Sequence, residues 1–344
     1  MREKLVRSTK KGSDVMDQQS IGIIGGGAWG TALAQAMANG GRDVLLWARE
    51  SDVVASINVH HENTTYLPNI KLHENLKATD NIHEAAKRDI VLLVCPAQHM
   101  RTTLQTIKDD LSHGNTLVLC SKGIELDSGK LLSTLCEEEL PDTPIAVLTG
   151  PTFAREVASA MPAAATIGVK DEDLGKELQA ALGVKGFRPY ISTDIIGVQL
   201  GGAIKNVIAI ACGIVTGRQL GDSARAALLT RGVAEIARLG VAMGAEKETL
   251  LGMCGIGDLM LTASSMQSRN FSLGTQLGEG KTLEEILGSR NAVTEGVHTA
   301  KSTLSLAKKH AVDMPITQAV DDCLSGKKTI DEAIEDMLNR PFKY

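Results

Sequence analysis

The run Ile21-Gly22-Ile23-Ile24-Gly25-Gly26-Gly27-Ala28-Trp29-Gly30 constrains this chain more than any other stretch. A short apolar segment enters a G-x-G-x-x-G, and a helical pattern over 31–39 leaves it. In that context Gly25 permits a tight turn and Gly27 lets a pyrophosphate approach the backbone. Gly30 lets the helix pack close to its strand. The first N–H groups of such a helix have no partner within it, so phosphates meet ready donors. The run predicts dinucleotide binding. A glycine-rich turn of an ordinary α/β protein is the alternative, and the strand, glycine and helix order weighs against it.

The alternation continues through the first half. Strand patterns cover 21–25, 44–47, 90–95, 116–120, 145–149 and 164–169, with helical patterns between them, for example 100–111 and 130–138. Most strands are continuous apolar runs, as expected when both faces of a parallel sheet are covered. They predict an α/β, Rossmann-type doubly wound domain over 20–193. After about residue 192 long helical patterns take over, at 194–215, 223–243 and 297–309, and no further strand series is expected. An all-α domain over 194–344 follows, with Asp194 placed to help start its first helix. Residues 1–19 are polar, with five basic residues before Gly12 and no apolar middle of a secretory signal. They read as a disordered tail, with translation starting at either Met1 or Met16.

Length and composition bound the function classes. A chain of 344 residues with 43% hydrophobic and 22% charged residues suits two globular domains. A net charge of −5 gives no attraction for nucleic acid or an anionic membrane. No uninterrupted apolar run reaches the roughly 18 residues that span a bilayer, so no integral membrane segment is expected. Cys95, Cys120, Cys136, Cys212, Cys254 and Cys323 show no C-x-x-C spacing and no pairing with histidines, so no metal site is assigned. They read as small apolar fillers in a reducing compartment, which implies a cytoplasmic location.

Five clusters carry chemistry. The second strand ends at Trp47-Ala48-Arg49, where an NAD site usually presents an acid to the ribose. Arg49 instead suits a 2′-phosphate, so NADP is favoured, while the adjacent Glu50 keeps NAD open. Lys122, in Ser121-Lys122-Gly123, follows a buried strand and faces the crevice where open sheets bind ligands. A surface lysine is the plain alternative. Gly150-Pro151-Thr152-Phe153-Ala154 also follows a strand, and Thr152 is placed to cap a helix or bind a substrate oxygen. Lys205 lies among Ala203, Ile204, Val207 and Ile208, on the face shared by Gly197 and Gly201. Desolvation there lowers its pKa and makes it a base near neutrality, unless it snorkels to solvent. Finally, Gly255-Ile256-Gly257-Asp258-Leu259 suggests a tight turn presenting a carboxylate. Ser268-Arg269-Asn270 offers a hydroxyl, a forked cation and an amide for phosphate or polyol oxygens.

At these residues the chain resembles the soluble NAD(P)-dependent glycerol-3-phosphate dehydrogenases of bacterial type. The matching pieces are 25–30, 47–49, 121–123, 150–154, 202–206, 255–259, 268–270 and Val293-Thr294-Glu295-Gly296-Val297, in family order. The resemblance implies interconversion of sn-glycerol 3-phosphate and dihydroxyacetone phosphate with NAD(H) or NADP(H), for phospholipid synthesis. It implies Lys205 as proton acceptor, assisted by Lys122. Substrate contacts would come from Lys122, Gly150, Thr152, Lys205, Asp258, Ser268, Arg269 and Asn270. Cofactor contacts would come from the glycines, Trp29, Arg49, Lys122, Ala154, Arg269, Val293 and Glu295. Ala28 departs from a serine common in the family, which touches cofactor affinity and not the chemistry. Long small-residue helices suit a homodimer. A β-hydroxyacid or 6-phosphogluconate dehydrogenase shares this organisation, but Gly-Ile-Gly-Asp-Leu and Ser-Arg-Asn argue against it. A non-catalytic redox sensor would have no use for two lysines and a phosphate-binding set.

Overall fold

The computed structural model describes residues 19–111, 114–288 and 294–341. The expected tail and Val293 therefore lie outside the described residues, apart from Gln19.

Eight strands form one sheet: β1 (Ile21–Ile24), β2 (Val44–Trp47), β3 (Lys77–Thr79), β4 (Ile90–Leu93), β5 (Thr116–Leu119), β6 (Ile145–Thr149), β7 (Ala163–Val169) and β8 (Phe187–Ser192). Their order is β3-β2-β1-β4-β5-β6-β7-β8. β1 pairs in parallel with both β2 and β4, with Ile21 opposite Val44 and Ile90. The chain order reverses between β1 and β4, and ligands of such sheets bind beyond the strand ends at that switch point.

β1, β4 and β5 are buried along their whole length. This explains their apolar, unalternating sequences, because helices cover both faces. The helix α1 (Ala28–Asn39) packs one face through Leu33 and Met37. Met100, Leu104 and Leu135 pack the other.

Two strands were not foreseen. β3 is three residues long and sits on the sheet edge, too short to show a period. β8 contains Pro189, which cannot donate to a ladder and so argues against a central strand. It is an edge strand, where the missing donor is tolerated. The sheet also departs from uniform parallel pairing, since β7 runs antiparallel to β6.

The last strand ends at Ser192, and helices make up the regular structure that follows. The helix α2 (Ala154–Ala158) lies between β6 and β7; beyond the sheet come α3 (Ile195–Gly217), α4 (Asp222–Ala242), α5 (Asp258–Thr262), α6 (Arg269–Gly278), α7 (Glu295–Lys309) and α8 (Pro315–Leu324). Asp194 caps α3 as expected, accepting from the Gly197 N–H at 2.7 Å. By length and mean hydropathy α3 would suffice to cross a membrane, and the apolar stretch is longer than the sequence reading allowed for. Its sides are covered by protein instead, with 94% of its most apolar window buried. Against it α6 packs backbone to backbone: a Cβ on Gly274 would sit 2.0 Å from the Ile210 oxygen, and one on Gly213 2.2 Å from the Phe271 oxygen. This close crossing brings the first residues of α6 beside the middle of α3.

Candidate active site

Lys205 occupies the middle of α3, where Ala203, Ile204, Val207 and Ile208 are all fully buried. Burying such apolar neighbours stabilises the helix by about 1.5–3 kcal/mol for each large side chain. A lysine placed among them is dragged out of water with the helix. Lys205 is 5% exposed, so the snorkelling alternative is not realised. Its ammonium donates to Asp258 Oδ1 and, at 2.8 Å, to Thr262 Oγ1. Asp258 is 0% exposed. The second carboxylate oxygen, Oδ2, accepts from Lys122 Nζ at 2.8 Å and from Thr149 Oγ1 at 3.5 Å. One buried carboxylate is thus shared by two lysines.

The participants come from four places in the fold. Lys122 follows β5, Thr149 ends β6, Lys205 is on α3, and Asp258 and Thr262 begin and end α5. The expected tight turn at Asp258 is corrected here: 253–257 form a wide helical turn that runs directly into α5. The glycines there serve close packing instead. A Cβ on Gly255 would meet the Leu250 oxygen at 1.9 Å. With Asp258 on a helix, Thr262 four residues later shares its face. Thr262 and Thr149 were not foreseen as site residues. The signal for Thr262 was the i, i+4 spacing, hidden by reading Asp258 as part of a turn.

Burial pulls the Lys205 pKa down to about 7, with the Lys122 charge acting in the same sense and Asp258 opposing it. Desolvation wins because the ammonium has lost nearly all its water. An ammonium has three N–H donors. Two are engaged by Asp258 and Thr262, so one remains for a substrate oxygen.

The remaining expected residues fall around this centre. The Gly150 oxygen accepts from Lys122 Nζ at 3.3 Å and from Thr152 Oγ1 at 3.2 Å. Thr152 does not cap the following helix, which is corrected here: α2 begins at Ala154 after Phe153, with no side-chain cap. Ser268 caps α6, accepting from the Phe271 N–H at 3.2 Å. Asn270 is held from two sides. Its Nδ2 donates to Asn206 Oδ1 at 3.0 Å, and its Oδ1 accepts from the Gly296 N–H at 3.0 Å. Asn206, also unforeseen, follows Lys205 directly and so ties α6 to the base-bearing helix.

Arg269 begins α6, and Glu295 begins α7. Burial lowers the Arg269 pKa and raises that of Glu295, and the attraction between the two opposes both shifts. Glu295 Oε1 accepts from the Ala97 N–H at 3.1 Å, which ties α7 to the loop after β4. Its Oε2 is buried with no hydrogen-bond partner among the described residues, as is Trp29 Nε1.

The glycine loop fits a dinucleotide phosphate. Gly25 has φ +131°, a conformation that disfavours side chains. A Cβ on Gly30 would lie 1.9 Å from the Gly25 oxygen, so α1 starts hard against the turn. A Cβ on Gly27 would meet nothing within 4 Å, and no side chain caps α1. The loop therefore offers open space facing uncapped N–H groups. The orphaned Trp29 atom in the glycine segment and the Glu295 atom beside the loop after β4 leave polar groups for a bound coenzyme. Arg49 stands at the outer end of β2, ion-paired to Glu50 at 2.8 Å.

Two family models match this chain. A family model described as NAD-dependent glycerol-3-phosphate dehydrogenase N-terminus matches residues 20–175, and its C-terminal counterpart matches 194–335. The NAD(P)+ glycerol-3-phosphate dehydrogenase of Parvibaculum lavamentivorans is 52% identical over 94% of this chain and 98% of that protein. The one from Rhodospirillum rubrum is 53% identical over 94% of this chain and 93% of its own length. The crystal structure of glycerol-3-phosphate dehydrogenase from Coxiella burnetii superposes with a TM-score of 0.90 at 36% identity, covering 94% of this chain and 99% of that one.

Proposed function

The chain belongs to the NAD-dependent glycerol-3-phosphate dehydrogenases and has their NAD(P)-dependent activity on glycerol 3-phosphate, and from that premise we propose that Lys205 exchanges the proton with the substrate's C2 oxygen. The observation that carries this reading is the shared carboxylate. Asp258, itself buried, holds Lys205 and Lys122 together, and burial pulls the basicity of Lys205 toward neutrality.

When bound, the coenzyme would supply the acceptor for the C2 hydride in oxidation and its donor in reduction. Gly25, Gly27, Gly30, Trp29, Arg49, Lys122, Ala154, Arg269 and Glu295 would hold it. In oxidation, neutral Lys205 takes the hydroxyl proton. In reduction, its ammonium returns a proton to the oxygen as negative charge develops there. A base near its own pKa at working pH does both efficiently. Lys122 stabilises the charge on that oxygen. Thr262 accepts from Lys205 Nζ and so orients its free N–H. Arg269, with Ser268, Asn270 and the start of α6, receives the substrate phosphate. Gly150 and Thr152, next to Lys122, would add further substrate contacts. Binding energy at the phosphate positions the reacting carbon, which lowers the barrier to the chemical step.

Residues 20–193 would act as the coenzyme unit and 194–344 as the substrate unit, with the site between them. The product glycerol 3-phosphate would serve phospholipid synthesis in the cytoplasm. The exposed small residues Ala226 and Ala227 of α4 support a homodimer. Initial rates with dihydroxyacetone phosphate, NADH and NADPH test the reading, against a panel of β-hydroxyacids and 6-phosphogluconate. Turnover of the triose phosphate alone is expected, and preference for another substrate would overturn it.

A further inference from the structure

At the outer end of β2, three donors converge on a single oxygen. Glu50 Oε1 accepts from Arg49 Nη2 at 2.8 Å, from Arg49 Nε at 3.2 Å and from the Tyr66 hydroxyl at 3.3 Å. Among the described residues, the side-chain donors to Glu50 all land on Oε1. The Arg49 side chain is 79% exposed and that of Glu50 31%. This strand end borders the glycine loop, since a Cβ on Gly26 would sit 2.4 Å from that of Ala48.

Dinucleotide sites place their ribose-reading group here. An acid accepts from the 2′-hydroxyl of NAD, and an arginine takes the 2′-phosphate of NADP. This chain carries both types side by side, already paired with each other. An exposed ion pair of this kind is weak and easily exchanged. Burial and the Glu50 charge both raise the Tyr66 pKa, so its hydroxyl remains a donor at neutral pH. Burial works against ionisation of Glu50, yet the Arg49 and Tyr66 hydrogen bonds hold its carboxyl below the ordinary value.

We propose that Glu50, steadied by Tyr66, is the residue that lets one site accept both NAD(H) and NADP(H). The proposal rests on the coenzyme reading above. For a ribose without phosphate, Arg49 stays on Oε1 and Oε2 receives the 2′-hydroxyl. For a ribose 2′-phosphate, the guanidinium leaves Glu50 for the more highly charged acceptor, where it bonds in bidentate fashion. Tyr66 still donates to Glu50 and offsets part of the loss. Glu50 itself repels the phosphate, so it tunes the preference in both directions.

The test is calorimetric binding of ADP-ribose and 2′-phospho-ADP-ribose to the wild-type protein, E50Q and Y66F, with folding checked by thermal melts. E50Q removes the strong acceptor and the repulsion together. Its affinity ratio should move toward the phosphorylated ligand by about tenfold or more, the scale of one charge-assisted hydrogen bond. Y66F makes the departure of Arg49 more costly, so its ratio should move the opposite way, by about threefold. A ratio within about twofold of wild type for either folded variant, or shifts of the same sign in both, would overturn the proposal. If E50Q does not fold, Y66F alone decides. A wild-type protein that binds neither ligand fails the coenzyme reading, and the Glu50 assignment with it. One that binds both while the ratios stay unmoved fails the Glu50 assignment alone.

Discussion

Replacing Asp258 by Asn removes one negative charge from between two lysines while keeping the side chain's shape. Lys122 Nζ lies 2.8 Å from Asp258 Oδ2, and Lys205 donates to Oδ1. At an effective dielectric of about 20, unit charges at that separation attract by about 6 kcal/mol before desolvation is counted. Removing one member of a buried ion pair costs about 3–5 kcal/mol, because the charge left behind is uncompensated. Lys205 escapes this cost by releasing its proton. If about 2.7 kcal/mol falls on that equilibrium, the pKa drops by about two units. Starting from about 7, the protonated fraction at neutral pH falls from about one half to about one in a hundred. Reduction of dihydroxyacetone phosphate requires the ammonium, so its rate at pH 7 should fall by about fiftyfold from protonation alone. Oxidation requires the neutral amine, and its rate rises as pH passes through the Lys205 pKa. The acidic limb of kcat/KM for glycerol 3-phosphate should therefore move down by about two pH units, although a weaker base lowers the plateau. Profiles recorded between about pH 5 and pH 10 in both directions provide the assay. A limb within about half a unit of the wild type would refute the shared-carboxylate argument.

Two further outcomes concern the scaffold. Gly30→Ala places a methyl 1.9 Å from a backbone oxygen that no rotamer change can move. It should cost about 1–3 kcal/mol and weaken dinucleotide binding, and an unchanged melting temperature would contradict the packing role. Glu235 on α4 is 1% exposed and accepts from the Ile316 N–H at 2.6 Å, the Thr317 N–H at 3.3 Å and the Thr317 hydroxyl at 3.2 Å. Glu235→Ala strands these donors at the start of α8, at about 1–3 kcal/mol for each buried group left unpaired. The urea midpoint should fall clearly for the alanine variant and less for Glu235→Gln, which retains an acceptor. Equal midpoints for wild type and Glu235→Ala would show that the capping contributes nothing.

The parts of the fold legible in the sequence were those with strong local physics. β1 and its glycine loop were clear because strand, turn and helix requirements fall on consecutive residues. β4, β5 and β6 were clear because burial on both faces leaves continuous apolar runs. β8 was hidden by Pro189, which an edge strand tolerates and a central one does not. The antiparallel setting of β7 leaves no trace in its composition. At the site, Lys205 stood out because a charge inside an apolar helix demands a reason. Lys122 and Asp258 stood out separately, but their meeting on one carboxylate did not. Asp258, Lys122 and Thr149 meet only through tertiary contacts between residues 53 to 136 positions apart, which no local spacing encodes. Glu50 was visible as an acid next to Arg49, while the Tyr66 hydroxyl that steadies it comes from 16 residues further on.

The central claim is that one buried amine moves the proton. Lys205→Met keeps the length and apolar stem of the side chain and removes the nitrogen. Single-turnover rates with dihydroxyacetone phosphate and NADPH, measured beside the NADPH dissociation constant, separate chemistry from binding. The rate should fall by about a thousandfold or more while coenzyme affinity stays within about threefold of wild type. A variant that reduces the substrate at near wild-type rate would mean that the proton comes from elsewhere.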